Sequence, residues 1–323
     1  MLTSLREYYS MENTTVTSTS NLESSPVERY LLIAWSILAL ALILPGNILV
    51  LVSSLKYRAL KLDKITVVLI ENIAVADLLS AVGYVLPNLG AIISEKWIFG
   101  NVFCFVHKKI SNVSIAVANF MIVALSISKL TVLLFPLRAR TRASKTGYII
   151  ATSIWGLVVA ENILMEAHLF DWDQIEIGDS YLLVWFECRR YPNHWLVLVA
   201  YCLATIVPVL LVFMTTTWLL MYVKKVRGLQ RQSVITLVCV SMVFCVSYVP
   251  SGVFYIVRGM NLKLESLIYF YRFMKFVIYL NIAANPIIYY FTVKSFNSFV
   301  KDLAKKMLPV NRVVPQVQLN SIQ

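Results

Sequence analysis

Apolar residues in this chain fall into long runs separated by short polar segments. Leu31–Leu55 contains no charged residue, and Ile65–Ile93 is apolar except for Glu71 and Asp77. Ile110–Leu137 is interrupted by Lys129, and Tyr148–Phe170 carries Glu161 and Glu166 toward its far end. His194–Val223 and Gln232–Val257 have no Asp, Glu, Lys or Arg. Leu264–Val293 has Glu265, Arg272 and Lys275 in its first half and no charge afterwards. A helix needs about 20 mostly apolar residues to cross the hydrocarbon core, so the runs predict seven membrane-spanning helices. After them, Phe296, Phe299, Val300, Leu303 and Met307 recur at helical spacing with lysines alongside. That pattern predicts an eighth, amphipathic helix lying at the interface and drawn to anionic lipid.

The fold class expected is therefore an all-α membrane protein, a seven-helix transmembrane bundle with an amphipathic helix at its cytoplasmic face. Residues 1–29 are read as a disordered external tail, 30–293 as the bundle, 294–307 as the eighth helix and 308–323 as a short cytoplasmic tail. Composition agrees: 59% of residues are hydrophobic, 14% are charged and the mean hydropathy is +0.73. Soluble domains carry about 25% charged residues.

The net charge of +12 would by itself invite a nucleic-acid reading. Its distribution removes that reading. One set of connections, with the C-terminal tail, holds 17 basic residues, among them Lys56, Arg138, Lys224, Lys225 and Lys301, against the acids Asp63 and Asp302. The other set is near neutral. Lys and Arg mark the cytoplasmic side, which puts the N-terminus outside, in a multi-pass protein of the plasma membrane with no nucleic-acid partner. Residues 1–29 show no apolar signal-peptide core, so the first span is expected to act as its own insertion signal. Asn13-Thr14-Thr15 is an N-glycosylation acceptor in the external tail; Asn112-Val113-Ser114 matches too but lies within a span. Of five cysteines, Cys104 and Cys188 fall on the external side, where a bridge would tie the long loop across the bundle mouth. Two unpaired external thiols are the alternative.

The spans carry further landmarks. Gly46-Asn47-Ile48-Leu49-Val50 lies in the first, Ile73-Ala74-Val75-Ala76-Asp77 in the second, and Trp97-Ile98-Phe99-Gly100 precedes Cys104. Trp155 and Pro208 mark the fourth and fifth, Phe244 and Pro250 the sixth, and Asn285-Pro286-Ile287-Ile288-Tyr289 the seventh. In these positions and this order, the chain resembles a class A, rhodopsin-like G-protein-coupled receptor from about Tyr30 to Met307. The resemblance implies a cell-surface receptor whose partners are an extracellular ligand and a heterotrimeric G protein. It also implies a polar network of Asn47, Asp77, Asn281 and Asn285, which resembles a sodium site with Asp77 as the charged ligand. Ala118 and Tyr248 stand where the family often has serine and tryptophan, so Na+ at Asp77 and a hydrogen-bonded water network both stay open. No other cofactor is expected. Pro250 and Pro286 remove backbone donors and permit kinks about which span six can pivot.

The largest departure from the family is Ser128-Lys129-Leu130 in place of D-R-Y. Lysine keeps the charge that meets the transducer but lacks the planar fork of arginine, and Ser128 supplies no restraining carboxylate. High basal activity and a poorly coupling or scavenging receptor are the two readings. Tyr248 is a rotatable aromatic at the floor of the ligand pocket. That pocket is expected from Lys108, Ser111, Asn112, Ile115, Tyr248, Ser251, Tyr255, Arg272, Lys275 and Tyr279. Tyr279 stands where retinal would need a lysine, and Ser111 where amine receptors carry an aspartate, so both ligand classes are set aside. The cationic mouth made by Lys108, Lys109, Arg272 and Lys275 suits a small anionic molecule, with a peptide as the alternative. The three histidines, His107, His168 and His194, are far apart and no catalytic motif appears, so no enzyme is expected. A transporter is disfavoured because internal repeats and paired broken helices are not evident. Few Ser or Thr follow Met307, essentially Ser321, which argues against arrestin recruitment through the tail.

Overall fold

The computed structural model describes residues 26–55, 60, 62–135, 144–169, 199, 202–222, 228–259 and 264–307. These residues build a bundle of seven helices followed by an eighth. The spans are α1 (Pro26–Leu55), α2 (Lys64–Ser94), α3 (Gly100–Leu134), α4 (Ser144–Leu169), α5 (Val207–Tyr222), α6 (Gly228–Gly259) and α7 (Leu264–Thr292). Six of the helical stretches are long and apolar enough to cross a membrane, and α7 joins the short α8 (Lys294–Met307) through a bend of 96°. With 29 residues, α7 is itself about 43 Å long, more than the hydrocarbon core requires. Among the described residues every regular element is helical. The expected boundary shifts at α3, which begins at Gly100 rather than near Ile110. The polar stretch through Lys108 and Lys109 interrupts the apolar run without interrupting the helix.

Two π-helical turns, Ala81–Val85 within α2 and Cys202–Ile206 before α5, were not visible in the apolar pattern. Each precedes a proline, and each exposes a carbonyl that proline leaves without a donor. Four residues before Pro87, the Gly83 carbonyl meets His107 Nδ1 at 2.5 Å and accepts from Ser111 Oγ at 3.4 Å. Four residues before Pro208, the Ala204 carbonyl accepts from Asn119 Nδ2 at 3.2 Å. Helix α3 thus satisfies the orphaned backbone of both neighbours. Ser80 and Ser114 add a hydroxyl contact of 2.9 Å between α2 and α3, and Trp155 Nε1 donates to Asn72 Oδ1 at 3.0 Å between α4 and α2. Ser54 donates to Glu71 between α1 and α2.

The core runs along the bundle interior. Tyr289, Phe244, Leu69, Ile73, Met121 and Leu237 are among its fully buried side chains. Close approach is bought by small residues. A Cβ on Gly46 would lie 2.8 Å from the Pro286 ring, so α1 and α7 meet there only because the position is glycine. Phe296 of α8 is buried against the core, while Lys294, Lys301, Lys305 and Lys306 are exposed. The bend is closed by Val293 N–H donating to Tyr289 and by Asn297 Nδ2 donating to the Tyr290 carbonyl at 3.0 Å. A one-sided apolar face with lysines opposite is the arrangement of an interfacial helix.

Candidate functional site

Polar side chains gather at three levels of the bundle. At the level where α3 ends, Lys129 is buried and its Nζ pairs with Asp63, 66 residues earlier. Asp63 is the N-cap of α2. Its Oδ1 accepts the Thr66 backbone N–H at 3.0 Å, which satisfies one of the donors a helix start leaves open. Burial tends to raise the Asp63 carboxyl. The Lys129 ammonium and the bonds from Thr66 outweigh it and hold the carboxyl below its ordinary value. The expectation that Lys129 has no restraining carboxylate is therefore corrected. Ser128 does not supply one, and its Oγ is buried without a partner, but Asp63 of another helix does.

On the same level, α6 is tied to the end of α7. Gln232 Nε2 donates to the Thr292 carbonyl at 2.6 Å, and Thr236 Oγ1 lies 2.8 Å from Thr292 Oγ1. Sequence reasoning missed Asp63, Gln232, Thr236 and Thr292 as site residues. Each is an ordinary polar residue near a span end, and only the fold shows its partner.

At mid-bundle, Asn285 Nδ2 donates to Asp77 Oδ2 at 2.8 Å, joining α7 to α2 across 208 positions of sequence. Asn281 is buried on the same helix. Asn47 does not bond Asp77: its Nδ2 turns back to the Ile43 carbonyl of its own helix at 3.0 Å, and its Oδ1 is buried without a partner. Phe244 and Tyr248 pack with ring centroids 5.0 Å apart, both buried and both before Pro250 within α6. Pro286 lies inside α7, and Tyr289, one turn on, is buried with its hydroxyl unpaired.

Toward the Cys104 end, Ser111, Tyr248, Ser251 and Tyr279 are buried in the bundle. Ile115 packs against the core and Lys108 is half-buried. Asn112 is exposed, a step of about 100° around α3 from buried Ser111. Tyr84 meets Tyr279 edge-on at 5.6 Å, and His107 sits beside Trp97 at 5.2 Å. His107 thus belongs to this level, toward the outer face where its position in the chain puts it. Glu161 lies within electrostatic reach of Lys109 and offsets part of the cationic mouth. Cys104 is buried, whereas the free cysteines among the described residues are Cys202, Cys239 and Cys245. Asn13 and Cys188, and the side chains of Tyr255, Arg272 and Lys275, lie outside the described residues.

A family model described as "7 transmembrane receptor (rhodopsin family)" matches residues 46–289. The chain is 24% identical to galanin receptor 2b of Danio rerio over 275 residues, which is 80% of this chain and 70% of that protein. It is 26% identical to short-wave-sensitive opsin 1 of Homo sapiens over 282 residues, 80% of this chain and 78% of the opsin. It is 24% identical to lysophosphatidic acid receptor 4 of Homo sapiens over 256 residues, 73% of this chain and 68% of that receptor.

Proposed function

The chain belongs to the rhodopsin family of seven-transmembrane receptors, and on that footing we propose that it is a plasma-membrane receptor that converts binding of an extracellular ligand into activation of a heterotrimeric G protein. The observation that carries the proposal is a buried cation, Lys129, at the inner end of α3, where the family resemblance places the residue that meets the transducer. That end of the bundle carries the excess of Lys and Arg and is therefore cytoplasmic, with the N-terminus outside. Signalling requires α6 to swing away from α7, and Pro250 gives the helix a pivot. The Gln232 and Thr236 bonds to Thr292 must break as it does. The test is guanine-nucleotide exchange by the reconstituted receptor: Lys129→Ala abolishes exchange while expression and thermal stability stay near natural. A receptor that scavenges ligand without coupling gives no exchange in either form.

The ligand proposed is a small anionic molecule or a peptide entering at the Cys104 end, with a bridge from Cys104 to Cys188 across the mouth. Half-buried Lys108 on α3, one turn from buried Ser111, supports the anionic reading. One relative is named for lysophosphatidic acid, an anionic lipid, and another, which matches 35% of this chain, is named for tachykinin-like peptides. Lys275→Glu separates the two readings in a binding screen. A loss confined to acidic ligands supports the first, and an equal loss for all ligands removes it.

The mid-bundle polar cluster offers a hard cation the oxygen ligands it prefers. Asp77 supplies a carboxylate and Asn47 a buried Oδ1 with no protein partner, while Ala118 contributes none. These residues fit sodium, which would fix α1, α2 and α7 in one arrangement through Asp77. Sodium then raises the melting temperature of the natural chain and leaves Asp77→Asn unaffected. Equal shifts in both would remove the cation from the account.

A further inference from the structure

Lys129 and Asp63 are unequally placed. The lysine side chain is 5% exposed and the aspartate side chain 42%. The cation is withdrawn into the bundle, and the carboxylate that holds it stands at the rim, within reach of solvent. Asp63 is itself fixed. Its two oxygens lie 2.9 and 2.8 Å from Thr66 Oγ1, and Oδ1 also accepts the Thr66 N–H, so the start of α2 sets where the carboxylate points. Lysine suits this pairing, because a compact ammonium on a flexible stem can satisfy one carboxylate and then swing to another acceptor. A pair buried on both sides is costly to break, because the partner left behind is an uncompensated buried charge. A pair with one partner in contact with water is weaker and can open.

We propose that Asp63 is the positioning residue of the coupling site. In the resting receptor it holds Lys129 Nζ inside the bundle, and G-protein engagement requires the ion pair to open so that the ammonium reaches a carbonyl or carboxylate of the transducer. The inference rests on the reading of the chain as a G-protein-coupled receptor. It moves the restraint on α3 from the neighbouring position, where Ser128 has no charge to offer, to the entrance of α2. It also separates that restraint from the one on α6, because Gln232, Thr236 and Thr292 share no residue with the ion pair.

The decisive variant is Asp63→Asn. Asparagine is as good an N-cap as aspartate, so α2 keeps its start while the ion pair is lost. The full chain is reconstituted in lipid nanodiscs without ligand and read in two ways: nucleotide exchange on purified G proteins, and the rate at which an amine-reactive reagent labels Lys129, quantified by peptide mass spectrometry. Asp63→Asn is expected to raise both by about tenfold, a typical coupling between sites. Asp63→Glu recovers most of the restraint, and in a Lys129→Ala background Asp63→Asn no longer changes exchange. Faster labelling with unchanged exchange overturns the proposal, leaving the pair as a structural contact. So does a rise in exchange that persists in the Lys129→Ala background. If neither the natural chain nor any variant catalyses exchange on any G protein, the G-protein-coupling reading falls and this proposal with it, and the labelling rates still report whether Asp63 shields Lys129.

Discussion

Asn119 shows how much a single side chain in α3 holds. Its amide nitrogen satisfies the Ala204 carbonyl, which Pro208 cannot reach because proline has no N–H. Asn119→Ala should therefore leave that half-buried carbonyl without its side-chain donor, at a cost of about 1 kcal/mol, seen as a lower melting temperature in detergent or nanodiscs. In a Pro208→Ala background the helix supplies its own N–H, and the same substitution should cost clearly less. Equal costs in the two backgrounds would show that the bond does not carry the effect. The sequence announces half of this relation: Pro87 and Pro208 each imply an orphaned carbonyl four residues earlier. It does not announce the donor, since His107, Ser111 and Asn119 find those carbonyls only through helix packing. Asp63 is similar. Read along the chain it is one of two acids in a basic set of connections, and its bond to Lys129 depends on where α2 starts relative to the end of α3.

Helices were legible to the extent that hydrocarbon dictates their length. Seven apolar runs predicted seven spans, and the spacing of Phe296, Val300 and Leu303 predicted α8, because both patterns reflect a solvent that rewards apolar faces. What the pattern could not show was how elements are fastened to one another. The link between α6 and α7 is made by Gln232, Thr236 and Thr292, ordinary polar residues near span ends. At about 1 kcal/mol per net hydrogen bond, this clasp is weak enough to open and strong enough to bias the resting state. Gln232→Ala with Thr236→Ala should raise ligand-free nucleotide exchange several-fold. The rise should multiply with that of Asp63→Asn, since contacts that share no residue add in free energy. A combined effect no larger than the stronger single one would mean that the two clasps form one switch.

For the molecule as a whole, charge and packing support one account. The net charge of +12 comes from one set of connections with the C-terminal tail, the pattern by which Lys and Arg mark a cytoplasmic side, and the exposed lysines of α8 belong to that set. Within the bundle, the Asn285–Asp77 bond joins distant spans at mid-depth, and Gly46 lets α1 sit against Pro286. Family membership sets what the whole does, and this chain's departures set how it is restrained. The most direct measurement is ligand-free guanine-nucleotide exchange on a panel of purified heterotrimers representing the G-protein families, with the receptor in nanodiscs. The account predicts that the chain released by Asp63→Asn accelerates exchange on at least one of them over empty nanodiscs, and that Lys129→Ala in that background returns the rate to the empty level. Exchange no faster than empty nanodiscs across the panel, or exchange unchanged by Lys129→Ala, would contradict it.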